Sequence, residues 1–289
     1  MGILNVTPDS FFDGGRHATA EAAVAHGLAM VEAGADIIDV GGESSRPGAT
    51  PVPEDVELVR VIPVIEGLTG AAVRVSVDTV KGAVALAAIG AGATLVNDIS
   101  AALWEVLGGH WSGHGSGHGS VGWVAMHMQG SPGTMQASPR YDDVVAEVHG
   151  YVLDRARSAL DAGVAEVWVD PGFGFGKTLD HNLSLLRHLP ELVAAAADLG
   201  CAGVMAGTSR KRFIGRLAAA AAGSGEPAGL EDRAEGSLAT AVAAMVAGVG
   251  MVRVHDVAAT VQAARLYGPG TEPRTGPFGS MSQARGTAA

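Results

Sequence analysis

The strongest constraint on this chain is a repeated alternation of short apolar runs with longer stretches of helical spacing. The runs that read as strands are residues 3–7, 37–40, 73–77, 94–96, 123–126, 166–169, 202–206 and 251–255. Helical patterns fill residues 20–33, 54–68, 81–89, 101–107, 144–162 and 183–199, a stretch from 213, and residues 234–247 and 257–267. Each strand is apolar almost throughout, as expected in a parallel sheet covered on both faces. Eight βα units in about 270 residues predict an α/β fold, a single-domain (β/α)8 TIM barrel over residues 1–267, a class typically about 250 residues long. A doubly wound open sheet is the second architecture that the alternation permits.

Composition narrows the function. Hydrophobic residues make up 47% of the 289 and aromatics only 4%, so the predicted core is aliphatic. Nineteen Lys and Arg against 30 Asp and Glu give a net charge of −11, which argues against a nucleic-acid binder. No apolar run approaches the roughly 18 residues of a membrane span. The start, Met1-Gly2-Ile3-Leu4-Asn5, lacks the basic and apolar regions of a signal peptide. A single cysteine, Cys201, excludes an internal disulfide and fits a reducing cytoplasm.

What suggests chemistry is how the strands end. A barrel brings strand C-termini to one mouth, and the polar residues that would meet there are Asn5, Asp78, Asn97, His127, Asp170, Lys211, Arg253 and His255. Asp78 and Asp170 could each simply cap the following helix. Together with Asn97 they would instead offer acceptors to a flat ligand with amidine-like N–H edges, with Lys211 supplying the charge that buried carboxylates need. Arg253 and His255 share a face of the last strand, either as a buried pair satisfied by Asp256 or Asp39, or as a phosphate clamp suited to arginine's fork. The basic turn Ser209-Arg210-Lys211 and the loop Ser44-Ser45-Arg46-Pro47-Gly48 add hydroxyls and cations. A diphosphate bound there would bring Mg²⁺, for which an oxygen ligand such as Asn5 is suited.

Residues 171–178 (PGFGFGKT) look like a phosphate-binding P-loop, but the position that needs the first glycine is Pro171. Nucleotide hydrolysis by that motif is excluded, and Lys177 is expected to be solvated or salt-bridged. Residues 108–122 are rich in Gly, Ser and His and read as a mobile loop; glycine at that density disfavours a helical metal face at His110, His114 and His118. Residues 268–289 lack periodicity and read as a disordered tail.

Several stretches, in order along residues 2–267, resemble the dihydropteroate synthase family. They are residues 2–11 (GILNVTPDSF), 39–48 (DVGGESSRPG), 76–79 (SVDT), 96–100 (VNDIS), 126–130 (MHMQG), 170–175 (DPGFGF), 209–211 (SRK) and 253–256 (RVHD). The resemblance implies a cytoplasmic transferase of folate biosynthesis. It would condense 6-hydroxymethyl-7,8-dihydropterin diphosphate with p-aminobenzoate on a TIM barrel, as a homodimer and a target of sulfonamides. It implies that Asp78, Asn97, Asp170 and Lys211 hold the pterin, with Met126, Phe175 and Gly207 packed around it. Asn5, Arg253 and His255 would take the diphosphate, Asn5 also binding Mg²⁺, and Phe11, Ser45, Arg46, Pro47 and Ser209 would build the aminobenzoate pocket. Catalysis would rest on Asp78, Lys211, Arg253 and His255. Relatives usually carry an N-terminal extension before the first strand and an acidic, methionine-containing stretch where the histidine–glycine loop stands here, so a shortened start and a looser pocket are expected. Two rivals share the pterin pocket: a corrinoid methyltransferase using methyltetrahydrofolate, which leaves residues 209–211 and 253–255 unexplained, and a pterin-binding paralogue without turnover.

Overall fold

The computed structural model describes residues 1–7, 16–46, 48–108, 120–221, 223, 229 and 231–267. The histidines of the 108–122 loop, the tail at 268–289, Phe11 and Pro47 lie outside the described residues.

Eight parallel strands run in sequence order around one sheet. They are β1 (Gly2–Asn5), β2 (Ile38–Gly41), β3 (Val75–Asp78), β4 (Leu95–Asp98), β5 (Gly122–Met126), β6 (Val167–Asp170), β7 (Gly203–Ala206) and β8 (Met251–Val252). The first and last strands meet through a parallel bridge between Gly2 and Val254, with Ile3 N–H donating to the Val254 carbonyl at 2.9 Å. The barrel is therefore closed, and the open-sheet alternative is excluded. The helices between strands are α1 (Arg16–Glu32), α2 (Glu54–Gly70), α3 (Gly82–Gly90), α4 (Leu103–Leu107), α5 (Val144–Asp161), α6 (Leu179–Arg187), α7 (Leu189–Leu199), α8 (Arg212–Ala221), α9 (Ala234–Val246) and α10 (Val257–Tyr267). None of these helices is long and apolar enough to cross a membrane.

The two-residue period of a strand sorts the core into two parts. Ile38, Val40, Val75, Val77, Val96, Trp123, Val167, Val169 and Val204 pack outward with the helices in the main core. Their alternate neighbours Ile37, Leu95, Val124, Met205 and Met251, joined by Met1 and half-buried Trp168, form a separate plug inside the barrel. Two residues further along the same strands stand Asp39, Asn97, Met126, Gly207 and Arg253. The barrel interior thus changes from an apolar plug at one end to a polar layer at the other. A buried aliphatic side chain contributes about 1.5–3 kcal/mol, so the plug stabilises the floor on which the polar layer rests.

Two expected elements differ from the sequence reading. The single helix expected over residues 183–199 is two, α6 and α7, parted at His188. Pro190, in the first turn of α7, cannot donate into a ladder continuing from α6, and its ring would clash with the carbonyl one turn back, at Leu186. The first part also begins earlier, because Thr178 caps α6 by accepting from His181 N–H while the His181 ring accepts from Thr178 N–H. The last strand, expected over 251–255, keeps strand pairing only at Met251 and Val252, plus the bridge at Val254.

Candidate active site

Asp78, Asn97 and Asp170 stand at or next to the C-terminal ends of β3, β4 and β6, and Arg253 directly follows β8. These four, with Lys211, line one narrow cleft, whose walls include Ser45, Met126, Phe175 and Gly207. Nine residues singled out from the sequence thus face the same cleft. A wider hollow lies at the opposite end of the barrel, beside the C-terminal ends of α2 and α3, and contains none of them.

Charge in the cleft is arranged around Arg253. Its Nε donates to Asp39 Oδ2 at 2.6 Å and its Nη2 to Asp78 Oδ2 at 2.6 Å. Asp39 Oδ2 also accepts from Asn97 Nδ2 at 2.9 Å. Burial opposes the charge on Arg253, but Asp39 and Asp78 outweigh it and hold its pKa above the usual value. The alternative that paired Arg253 with Asp39 is therefore present in the structure, and Asp78 is a second partner. Asp256 instead binds Arg210, at 2.7 Å from Oδ1 to Nη2.

The carboxylates facing the cleft are unusually basic. Burial pushes Asp78 up to about 7 against the opposing pull of Arg253. Asp170 is also raised by burial, in spite of a 2.7 Å hydrogen bond to Oδ1 from Gly172 N–H. Lys211 is pushed down to about 8 by burial and by Arg253. Its Nζ stands 3.9 Å from the centroid of the Phe175 ring, where the aromatic face offers negative potential. Asp78 and Lys211 are thus an acid and a base poised close to neutral pH, an arrangement typical of functional clefts.

His255 sits outside the cleft wall, beside Ser209. The Ser209 hydroxyl accepts from His255 N–H at 3.2 Å and lies 3.0 Å from His255 Nδ1. The hydroxyl keeps both a proton and a second lone pair for Nδ1, so the contact is compatible with either ring tautomer. Burial and the neighbouring Arg253 and Arg210 push His255 down to about 4, so the ring is neutral at pH 7. Asn5 ends β1, where it pairs in register with Gly41, which in turn pairs with Asp78. Arg46 is exposed on the loop that carries Ser45.

The turn carrying Ser209 and Lys211 is held in a costly conformation. Arg210 between them has φ 56°, the left-handed region that a non-glycine residue seldom occupies. Its N–H donates to Ser237 Oγ at 2.9 Å, its carbonyl accepts from Arg233 Nη1 at 3.1 Å, and its guanidinium is clasped by Asp256. These contacts fix the backbone from both sides, so Ser209 and Lys211 diverge to different partners.

Sequence reasoning missed several supporting groups. Asp39, fully buried, entered only as a possible partner; an acid inside the apolar run 37–40 was the available signal. Glu57, 1% exposed, binds Lys81, which also binds Glu43 of the Ser45 loop, and nothing in the spacing of these residues announced it. Lys177 is a correction. Expected to be solvated or salt-bridged, it is 3% exposed and bonds to His127 and to backbone carbonyls. His127, expected at the mouth, lies behind the cleft wall as its partner.

Comparison with known proteins agrees with this geometry. The family model described as pterin binding enzyme matches residues 1–255. The dihydropteroate synthase of Escherichia coli K12 is 45% identical over 269 residues, covering 92% of this chain and 89% of that protein. The structure of Xanthomonas albilineans dihydropteroate synthase with 4-aminobenzoic acid superimposes with a TM-score of 0.79 at 47% identity, covering 92% of this chain and 90% of that one. The same enzyme in complex with 7,8-dihydropteroate gives a TM-score of 0.76 at 44% identity, with 92% and 91% covered. A barrel whose cleft gathers these side chains, matched along nearly its whole length, belongs to the pterin-binding enzymes, and this chain is a member of the dihydropteroate synthase family.

Proposed function

We infer that this enzyme condenses 6-hydroxymethyl-7,8-dihydropterin diphosphate with p-aminobenzoate, giving 7,8-dihydropteroate and diphosphate. The observation that carries the reading is the convergence of Asp78, Asn97, Asp170 and Lys211 on one cleft bordered by Arg253. Two carboxylates and an amide match the N–H edge of a pterin, and the cation matches its carbonyl side. Hydrogen bonds from such donors favour the ionised forms of Asp78 and Asp170, which burial alone disfavours.

The reacting bond joins the exocyclic methylene carbon to the diphosphate oxygen. As it breaks, negative charge grows on the departing diphosphate and positive charge on the pterin. The ring of His255 and the guanidinium of Arg253 are the groups for the first, and the carboxylate of Asp78 stabilises the second. The aniline nitrogen of p-aminobenzoate then attacks the methylene carbon and loses a proton to solvent. No strong base is required, because an arylamine is neutral and nucleophilic at pH 7. Ser45, Arg46 and Ser209, with Phe11 and Pro47, are the residues assigned to the aminobenzoate, and closure of the loop that carries Ser45 would exclude competing water.

The donor set fits Mg²⁺ carried by the substrate rather than held in a protein cage. Among the described residues there is no group of three or more His, Cys, Asp or Glu suited to a metal. Mg²⁺ favours oxygen ligands and keeps several waters, so one amide oxygen from Asn5 beside two phosphates is a sufficient protein contribution. When bound, the ion would neutralise charge on the diphosphate. We further propose a cytoplasmic homodimer, and a site in which sulfonamides displace p-aminobenzoate.

Complementation tests the assignment. A bacterial strain lacking its own dihydropteroate synthase should grow without added folate end products when it expresses this chain, and sulfonamide should stop that growth. No growth, despite folded protein that binds pterin, would mark a paralogue without turnover.

A further inference from the structure

The P-loop-like run at residues 171–178 has a lysine that neither phosphate chemistry nor the reaction above employs. Lys177 Nζ lies 2.9 Å from His127 Nδ1 and donates to the carbonyls of Gly172 at 2.9 Å, Phe175 at 3.0 Å and His127 at 3.3 Å. Its Nζ thus bridges the end of β5 on one side and the loop after β6 on the other. Burial and the neighbouring Lys177 push His127 down to about 3, so its ring is neutral and Nδ1 accepts. Burial also pushes Lys177 down to about 7, in spite of Asp170.

The loop that Lys177 grips is pressed against its neighbour. A side chain on Gly172 (φ 67°) would come within 1.9 Å of the His127 carbonyl oxygen, and one on Gly176 (φ 62°) within 2.5 Å of the Gln129 carbonyl oxygen. Tyr141 adds a second clasp by donating to the Gly176 carbonyl at 2.8 Å. Two cleft groups hang from the carbonyls that Lys177 holds. Phe175 carries the ring beneath Lys211 Nζ, and Gly172 supplies the N–H bound to Asp170 Oδ1. One buried lysine therefore links the seating of this loop to two groups of the cleft, Phe175 and Asp170.

We propose that Lys177 is a positioning residue for the pterin half of the site, setting Phe175 and Asp170 from behind without touching the ligand. The inference rests on the synthase reading. It separates the pterin half from the diphosphate half, because Asn5 at the end of β1 and Arg253 and His255 after β8 are not among the groups that Lys177 bonds.

The test uses Lys177→Met, close in length but without donors, with Lys177→Gln as a second variant should the first fail to fold. Val152→Ala, in the buried face of α5, is the control for a general loss of stability. Binding of a 6-carboxypterin and of inorganic diphosphate with Mg²⁺ is measured by calorimetry, and the KM for p-aminobenzoate by turnover. The expected result is a loss of at least tenfold in pterin affinity, with diphosphate affinity and the aminobenzoate KM within twofold of the parent and both ligands unaffected in Val152→Ala. A smaller pterin effect, an equal loss for both ligands, or the same loss in Val152→Ala would overturn the proposal. If the parent protein itself binds no pterin, the synthase reading fails first; if the parent binds and Lys177→Met binds equally well, only the role of Lys177 fails.

Discussion

Arg253 and Asp39 form a buried ion pair at 2.6 Å between the end of β8 and the middle of the polar layer, and the second oxygen of Asp39 has no hydrogen-bond partner among the described residues. An unpaired buried carboxylate oxygen is costly unless the pair that shares it is well held. Here the same Asp39 Oδ2 also aims the Asn97 amide. The carboxylate thus sets both a group assigned to the pterin and one assigned to the diphosphate.

Asp39→Asn should therefore damage both halves of the site. Removing one partner of a buried pair costs about 3–5 kcal/mol when the other charge is stranded, and Arg253 keeps Asp78. Denaturant unfolding should show a loss at or below that size, and kcat/KM should fall by about two orders of magnitude or more. A variant with full activity would remove Asp39 from any positioning role.

The Ser45 loop is tethered from behind. Lys81 binds Glu43 at its base and Glu57 on α2, and the second oxygen of Glu57 is buried with no hydrogen-bond partner among the described residues. Lys81→Met should cost about 2 kcal/mol, below the roughly 3–5 kcal/mol of a fully enclosed pair because Lys81 keeps some contact with solvent. The double variant Lys81→Met/Glu57→Gln should recover most of that loss, since the stranded charge is gone. A double-mutant cycle with no coupling would contradict the tether.

Stability should decline on the acid side through His127. A folded-state pKa of about 3 against an unfolded value near 6.5 means that the unfolded chain binds more protons below pH 6.5. The stability held by the neutral ring is fully present above pH 6.5 and is lost as pH falls, at up to about 1.4 kcal/mol per unit. Asp78, raised to about 7, acts in the opposite sense: the folded state binds more protons between its unfolded value and pH 7, so its contribution grows as pH falls. Comparing the pH dependence of unfolding in the parent and in His127→Gln cancels the Asp78 contribution, and the difference should steepen below pH 6.5. Parallel curves would contradict a buried neutral His127.

Phe175 should matter through its face. A cation over an aromatic ring contributes about 0.5–2 kcal/mol. Phe175→Leu, which keeps apolar bulk, should raise the pterin KM by roughly 2- to 30-fold with little change in melting temperature. An unchanged KM would show that Lys211 does not depend on the ring.

Much of this was readable in the sequence because strand polarity is local. The strand runs 73–77 and 94–96 turn polar at Asp78 and Asn97, and a barrel turns such endings into one mouth. The breaks that depend on single residues were harder: Pro190 divides α6 from α7 within a run whose apolar spacing continues across it. Buried partners were hardest. Lys177 and His127 lie 50 positions apart, and only the closeness of the loop to β5 makes a lysine in a glycine-rich loop an interior residue. Asp39 and Arg253 are separated by 214 positions and meet only because the barrel closes.

The central claim is tested most directly by turnover. Purified protein, given 6-hydroxymethyl-7,8-dihydropterin diphosphate, p-aminobenzoate and Mg²⁺, should form 7,8-dihydropteroate with an equal amount of diphosphate, and no 7,8-dihydropteroate without p-aminobenzoate. Lys211→Ala and Asp78→Asn should each lower kcat/KM by at least a hundredfold. Binding of the pterin substrate without formation of 7,8-dihydropteroate, or turnover that survives both substitutions unchanged, would contradict the assignment.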